Sequence, residues 1–159
     1  MRLDWIARIL GMLLMLPFTD TQDYWPVHTV CNTNKIKVIY KSCDPMQDIG
    51  LSFSSCSNLL TQPTTLKIFV QLRQSINELY ASVDLFLNGD FVLHHDEPFC
   101  LPSFPRFTFC GQRRGETIKI QSTLPAVGLS LQGEYNTKIY AINQNGFQIL
   151  CFNATLTFK

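Results

Sequence analysis

The sequence predicts an all-β domain, built as a sandwich or a barrel of about eight short strands. From residue 25 onward, apolar residues recur at every second position, which is the period of a strand with one buried face. Turn residues interrupt these runs at regular spacing, and Asn88-Gly89 is the strongest short-range signal for a hairpin. The same region shows almost no helical periodicity. Together these three observations favour an architecture made of sheets alone.

Four alternating runs come first along the chain. Their apolar residues stand within 36–40, 49–53, 66–72 and 79–87. Each run predicts a strand with one face toward the interior. The fourth run is the longest and stops at the hairpin turn, so we expect a return strand to begin near Phe91.

The second half of the chain is less regular. Residues 100–110 form a loop rich in phenylalanine and proline, and a further strand starts near Ile118. The apolar segment 124–131 contains proline and glycine, which argues against an ordinary central strand. This segment is a candidate for a flexible rim of a binding cavity, and a plain surface loop is the alternative. The alternating runs 135–141 and 147–158 predict a final hairpin.

Composition favours one domain with an unusually apolar interior. The 159 residues include 13 basic and 12 acidic side chains, so no dense basic surface is available for nucleic acid. Only 16% of the residues are charged, and twelve are phenylalanine. We therefore expect either a large hydrophobic core or an apolar cavity.

The first residues are typical of a secretory signal. Arg2 and Arg8 flank the start of the apolar run 9–18, which is too short to cross a bilayer comfortably, since a span takes about 20 residues. We predict a signal peptide over 1–22 and a mature, secreted domain over 23–159. The alternative is a buried N-terminal helix.

Six cysteines in a secreted chain predict a disulfide framework, for which 15 connectivities are possible. Cys31, Cys43 and Cys56 lie close together in sequence, so at least one of them must bond to a distant cysteine. Cys100 and Cys110 are the most natural local pair. A metal site is not expected, because no Cys-x-x-Cys pair is present and the histidines are poorly spaced for ligation.

Sequence motifs give no indication of an enzyme. We find no nucleophile elbow, no metalloprotease helix motif and no phosphate-binding glycine loop. Asp96 and Glu97 are adjacent, so on a strand they would point to opposite faces. His94 and His95 beside them are interpreted as part of a polar turn without a catalytic role. Asn153 is the acceptor of the one glycosylation sequon.

Three arginines could meet the phosphates of a bound lipid by charge-assisted hydrogen bonds. These are Arg106, in the phenylalanine-rich loop, and Arg113 and Arg114 in the turn that follows it. The alternative for Arg113 and Arg114 is a solvated turn without a ligand.

Several short strings occur together with the cysteines along the whole chain after residue 24. They are Trp25-Pro26, His28, Val30-Cys31, Tyr40, Ser42-Cys43-Asp44-Pro45, Gln47-Asp48, Cys56, Leu72-Arg73-Gln74-Ser75-Ile76, Glu78-Leu79-Tyr80, Phe109-Cys110-Gly111, Arg114-Gly115-Glu116, Gly133-Glu134-Tyr135 and Asn153-Ala154-Thr155.

In this combination the chain resembles the MD-2-related lipid-recognition (ML) family. The resemblance implies an immunoglobulin-like β-sandwich of two antiparallel sheets that enclose an apolar lipid-binding cavity. It further implies a secreted accessory subunit, held at the cell surface by the ectodomain of a leucine-rich-repeat receptor related to the Toll-like receptors. Such a complex modulates innate responses to bacterial lipopolysaccharide. The expected ligand is a phospholipid or a lipopolysaccharide-type glycolipid, and no cofactor is expected.

The family pattern also implies the disulfide pairing. Carried onto this chain, it joins Cys31 to Cys56, Cys43 to Cys151 and Cys100 to Cys110. One departure separates this chain from the family's endotoxin co-receptor, which has a basic residue after the first cysteine of the phenylalanine-rich loop and acidic residues within it. Here Leu101 takes the first position and the loop has no acid, which favours the branch whose partner is a Toll-like-receptor-related, leucine-rich-repeat receptor of B cells.

The candidate lipid-binding residues are the apolar members of the alternating runs and of the phenylalanine-rich loop. The alternative is that they pack on one another as an ordinary core. They are Val38, Tyr40, Ile49, Leu51, Phe53, Leu66, Ile68, Val70, Val83, Leu85, Phe99, Phe104, Phe109, Ile118, Tyr135, Ile139, Leu150 and Phe152.

Two other functions compete with the accessory subunit. One is a soluble lipid or sterol carrier of the same family that acts without a receptor. The other is an adhesion or structural sandwich with a packed interior and no ligand.

Overall fold

The computed structural model describes residues 25–59, 61–105, 107–126 and 131–159, and Pro105 by its backbone alone. These residues contain ten β-strands. The predicted signal peptide, Arg106 and part of the predicted rim lie outside these residues. Within them, no helix has the length and hydropathy needed to span a membrane. The strands are β1 His28–Asn32, β2 Ile36–Ser42, β3 Gly50–Phe53, β4 Thr64–Gln71, β5 Leu79–Leu87, β6 Asp90–Leu101, β7 Phe104–Pro105, β8 Thr117–Leu124, β9 Gly133–Asn143 and β10 Gln148–Phe158.

The strands assemble into two antiparallel sheets. The larger has the order β1-β2-β10-β9-β5-β6-β7, and the smaller has the order β3-β4-β8. The alternating buried faces of the two sheets pack against each other, which confirms the predicted all-β sandwich.

The β5–β6 hairpin confirms the strongest turn signal in the sequence. Leu87 pairs with Asp90, and the two residues between them have positive φ, 50° at Asn88 and 93° at Gly89. These values are those of a type I′ turn, whose twist matches that of the flanking strands.

Two strands were not predicted, and one polar segment was assigned wrongly. β7 has only two residues, and in β1 the apolar residues Val30 and Cys31 are adjacent rather than alternating. His94 and His95 lie in the middle of β6 rather than in a polar turn, because the hairpin register pairs them with Asp84 and Val83. An exposed edge strand tolerates such polar residues.

The side of the sandwich formed by β1 and β3 is closed by a small core and a disulfide. Cys31 on β1 bonds to Cys56, which follows β3. Around this bond pack Ile36, Val38 and Leu59, each at most 2% exposed. This side therefore joins the two sheets covalently.

The other two disulfides lie at the end of the sandwich where β2 and β6 finish. Cys43–Cys151 joins residues 108 positions apart, and Cys100–Cys110 closes a local loop. All three bonds are the pairs that the family pattern implies. Asp44, beside Cys43, is 1% exposed and accepts a hydrogen bond from the Arg73 guanidinium, while its backbone oxygen accepts one from Trp25 Nε1 at 2.7 Å.

Candidate functional site: an apolar cavity between the sheets

An apolar cavity of about 250 Å³ lies between the two sheets. Among the residues that the structure describes, side chains from six strands line it, and Ser122 is the one polar residue of this set. The lining residues are Leu66, Ile68, Leu79, Ala81, Val83, Phe99, Ile120, Ser122, Leu124, Ile139, Ala141 and Leu150.

Two alanines explain why space remains at this place. Ala81 on β5 pairs directly with Ala141 on β9, so the two smallest side chains of the wall stand side by side. Both are nearly fully buried, at 5% and 2% exposure. Because neither side chain reaches across toward the smaller sheet, the gap between the sheets stays unfilled.

The cavity is closed at one end and reaches the surface at the other. At the closed end, the core is packed by Leu72, Ile76, Phe109 and Ile118, none more than 5% exposed. Toward the open end stands the cavity residue Ser122, which is exposed on β8. At one pair of sheet edges β1 lies close beside β3, whereas β6 and β8, at the opposite edges, approach each other less closely.

Six of the predicted lipid-binding residues lie on the cavity wall. The structure places seven others in or against the packed core of the sandwich, and three in or against the small core beside Cys31–Cys56. The wall residues are Leu66, Ile68, Val83, Phe99, Ile139 and Leu150. The first core group is Tyr40, Ile49, Leu51, Val70, Phe109, Ile118 and Phe152. The second is Val38, Phe53 and Tyr135.

The remaining two predicted residues do not line the cavity. Leu85 is half-buried on β5, between the cavity and the hairpin turn. Phe104 is 65% exposed, because the two-residue strand β7 holds it at the edge of the large sheet.

Six wall residues were missing from the predicted set. Leu79, Ala81 and Ile120 belong to alternating runs that the sequence shows, so the signal for them was present. Leu124 lies at the start of the predicted rim and lines the cavity, whereas residues 127–130 of that rim are outside the described chain. Ala141 ends the alternating run 135–141, so the sequence signal was present for it too, whereas only the three-dimensional register identifies Ser122.

The two described arginines of the predicted phosphate set lie away from the cavity wall. Arg114 borders a surface cleft with Met46, Arg73 and two glutamines, and Arg113 borders a neighbouring one with Glu116. Arg106 is outside the described residues. The arrangement of Arg113 and Arg114 is that of exposed surface groups.

A polar cluster occupies the outer face of the large sheet, opposite the cavity. His94 Nδ1 lies 2.6 Å from Asp84 Oδ1, and His94 Nε2 lies 3.1 Å from Asp96 Oδ2. Ser82 Oγ donates a hydrogen bond of 2.5 Å to Asp96. The bonds to Asp84 and then Asp96 raise the pKa of His94, and the bonds from Ser82 and His94 lower the pKa of Asp96.

We predict that replacing His94 with glutamine destabilises the protein more in mild acid than in mild alkali. A raised pKa in the folded state means that His94 stabilises the fold fully below its unfolded pKa, and that this stabilisation is lost as pH rises through the folded value. A neutral imidazole has only one N–H and cannot donate to both carboxylates. Thermal melts at about pH 5.5 and pH 8 should show the difference.

His95→Gln is the matched control, since His95 lies on the other face of β6 with Glu97 as its partner. An equal loss of stability by His94→Gln at both pH values would contradict the prediction.

We compared the sequence and the structure of this chain with those of known proteins. No protein-family model matches the chain. Lymphocyte antigen 86 of Mus musculus is 37% identical over 155 residues, which cover 95% of this chain and 96% of the relative. Lymphocyte antigen 86 of Gallus gallus is 34% identical over 150 residues, 93% of each chain.

A solved structure agrees with these relatives. The crystal structure of chicken MD-1 complexed with lipid IVa has a TM-score of 0.75 and 35% identity to this chain, covering 84% of it and 98% of chicken MD-1. Sequence identity above 30% along nearly the whole chain and the shared two-sheet fold lead to one assignment. The chain belongs to the lymphocyte antigen 86, or MD-1, branch of the MD-2-related lipid-recognition family.

Proposed function

We propose that this chain is a secreted lipid-binding accessory subunit of a leucine-rich-repeat receptor related to the Toll-like receptors, and that it modulates responses to bacterial lipopolysaccharide. The observation that carries the proposal is the cavity between the sheets, where every described lining residue except Ser122 is apolar. It acts by binding, and no step of chemistry is part of the proposal.

The energetics of the cavity favour an acyl chain as its occupant. An empty apolar cavity of 250 Å³ costs about 6 kcal/mol at about 24 cal/mol per Å³. A typical domain has a total stability of about 5–15 kcal/mol, so that cost is large. Each methylene group buried there contributes about 0.8 kcal/mol, whereas a polar ligand would find one hydroxyl partner, Ser122, among the described wall residues.

The size of the cavity suits one acyl chain at a time. Ligand pockets usually measure about 300–1,000 Å³, so this cavity lies just below that range. A lipid with several chains requires the sheets to move apart. The β6–β8 side permits this, because Cys31–Cys56 joins the sheets on the β1–β3 side.

A solved relative supports the ligand class, and the disulfides of this chain support the compartment. Chicken MD-1 has been solved with lipid IVa, which supports a lipopolysaccharide-type glycolipid as a ligand here. Three disulfides agree with an extracellular location, as do the predicted signal over 1–22 and the domain over 23–159. Asn153 is exposed on β10, so it is accessible for the predicted glycan.

The receptor partner has a candidate surface at the closed end of the sandwich. Arg73 and Arg114 border one cleft together with Met46, which is 69% exposed. Asp44 holds the Arg73 guanidinium in place, so the positive edge is partly pre-ordered. Such a surface suits an acidic patch on a receptor ectodomain through charge-assisted hydrogen bonds.

The test is secretion of the full chain alone and together with the leucine-rich-repeat ectodomain, followed by native mass spectrometry and lipid extraction. We expect near-stoichiometric phospholipid or glycolipid on the chain, and capture of the chain by the ectodomain. Arg114→Glu should reduce capture and leave the lipid content unchanged, with Lys35→Glu, an exposed residue elsewhere, as the control.

Each result points to one function. Lipid on the chain without capture by the ectodomain would favour the soluble carrier of the same family. A chain with three disulfides that carries no lipid and takes up none would contradict lipid binding and leave an interaction module.

A further inference from the structure

The tip of the β5–β6 hairpin carries exposed apolar side chains. Phe91, Val92 and Leu93 are 60%, 50% and 41% exposed, at the start of β6. Phe86 on β5 supports them, with its ring edge-to-face against Phe91 at 5.7 Å between centroids. We call these four residues the hairpin patch.

One residue of the hairpin patch, Leu93, continues the wall of the cavity, whereas Phe86 and Phe91 pair with each other on the opposite face of the hairpin. Leu93 pairs with Leu85, which lies two positions from the wall residue Val83 on the same face of β5. Further along β6, Phe99 is itself part of the wall. An apolar path therefore leads from Val83 through Leu85 and Leu93 to the exposed tip, whereas His95 and Glu97 occupy the same face of β6 between Leu93 and Phe99.

The patch lies at the open end of the sandwich. β8 runs antiparallel to β4 and ends at the wall residue Leu124. At the same end, Asn88 in the hairpin turn hydrogen-bonds the start of β9, where its Oδ1 accepts from the Glu134 N–H at 3.0 Å. The closed end, with the Cys100–Cys110 disulfide, is at the other end of β6.

The area of the patch is too small for a stable protein partner. Taking about 150–250 Å² for a whole aromatic side chain, the three exposed residues offer on the order of 300 Å². A stable interface buries about 800 Å² on each partner. A protruding turn with a few apolar side chains is instead suited to shallow, reversible insertion into a lipid surface.

The charges around the patch indicate which lipid surface it would meet. Asp90 and Glu134 are exposed beside the turn, and Asp84 and Asp96 follow on the outer face with His94. Lys138, which pairs with Asp84, is the basic residue nearest to them on that face. An acidic surrounding of this kind repels anionic membranes, so a neutral phospholipid bilayer is the favoured surface.

We propose that the hairpin patch docks on neutral phospholipid bilayers and brings the open end of the sandwich to the membrane, so that an acyl chain passes along Leu93 and Leu85 into the cavity without crossing water. This inference rests on the proposed lipid-binding function and adds the route by which the ligand enters and leaves.

The test compares a double substitution in the patch, Phe91→Asn with Val92→Asn, against Phe147→Asn. Phe147 is 51% exposed at the closed end of the sandwich, so the control removes a similar aromatic area far from the patch. All the replaced side chains are exposed, so the fold should be retained. The readouts are flotation with phosphatidylcholine vesicles and the rate of pyrene-labelled phosphatidylcholine transfer between vesicles.

We expect the double variant to lose flotation and to transfer the labelled lipid about tenfold more slowly or worse, while Phe147→Asn behaves like the unchanged protein. Equilibrium uptake of a water-soluble short-chain phosphatidylcholine should be the same in all three proteins. A failure of the unchanged protein to float, or equal transfer rates in all three, would overturn docking.

Uptake of the short-chain lipid distinguishes a protein that does not dock on membranes from one that does not bind lipid at all. If the unchanged protein does not take up even the short-chain lipid, the cavity is not a lipid site. If uptake is normal and the double variant changes the sedimentation mass rather than the transfer rate, the patch is a contact between copies of the chain, which also overturns docking.

Discussion

Replacing Ala141 with phenylalanine is expected to block the cavity and lower the affinity for acyl lipids by about two orders of magnitude. Ala141 is 2% exposed, lines the cavity and stands beside Ala81. A phenyl ring at this position displaces about four methylene groups of a bound chain, at about 0.8 kcal/mol each, or roughly 3 kcal/mol in total. Displacement of a fluorescent fatty-acyl probe measures the change.

The matched control is Ile142→Phe, one position along the same strand. Ile142 is 37% exposed and points to the opposite face of the sheet, so its ring adds apolar area without entering the cavity. The Ala141→Phe protein should remain folded, because the new ring enters space that is already empty. Unchanged lipid affinity in a folded Ala141→Phe protein would show that lipid binds elsewhere.

This dependence on Ala141 shows where sequence reasoning reaches its limit. The alternation of apolar and polar residues identified the strands whose inner faces form the cavity wall. It also identified the wall residues Leu66, Ile68 and Val83. It could not separate a wall residue from a core residue, because both are apolar and both alternate. What separates them is the partner across the sheet, and only the register shows that Ala81 and Ala141 are neighbours.

Phe104 and the histidine pair show the same limit for polar and exposed positions. Phenylalanine is usually buried, but the context of a two-residue edge strand leaves Phe104 65% exposed. His94 and His95 lie in a polar stretch that is typical of a turn. The pairing of β5 with β6 nevertheless includes both histidines, so they are part of the strand. In both cases the pairing of strands, which is non-local, overrides the local signal.

The disulfide pairing depends on the fold in a similar way. Spacing alone favoured Cys100 with Cys110, whereas the partner of Cys43 could be assigned only from the family pattern. In the structure, β2 lies beside β10, and the Cys43 N–H donates to the Cys151 carbonyl at 3.0 Å. The two cysteines are 108 positions apart in sequence, but the disulfide joins two neighbouring strands of the sheet.

Removing that bond is expected to have the second large effect. In the chain-entropy model, a cross-link over 108 residues stabilises by about 4.8 kcal/mol, and one over 10 residues by about 2.7 kcal/mol. We therefore expect the double substitution of Cys43 and Cys151 by serine to lower the free energy of unfolding about 2 kcal/mol more than the same change at Cys100 and Cys110. Urea unfolding of the secreted proteins at constant pH measures both.

The comparison also separates stability from ligand binding. Neither disulfide lines the cavity, and each adjoins a wall residue, Leu150 before Cys151 and Phe99 before Cys100. Phe99 differs because its ring contacts Phe107, which lies in the loop that Cys100–Cys110 closes. The folded fraction of the first variant should keep its lipid affinity, and the second should lose part of it despite its smaller loss of stability. A larger loss of unfolding free energy in the Cys100 and Cys110 variant than in the Cys43 and Cys151 variant would contradict the prediction. It would mean that packing of the phenylalanine-rich loop, rather than the length of chain enclosed, sets how much each disulfide stabilises the protein.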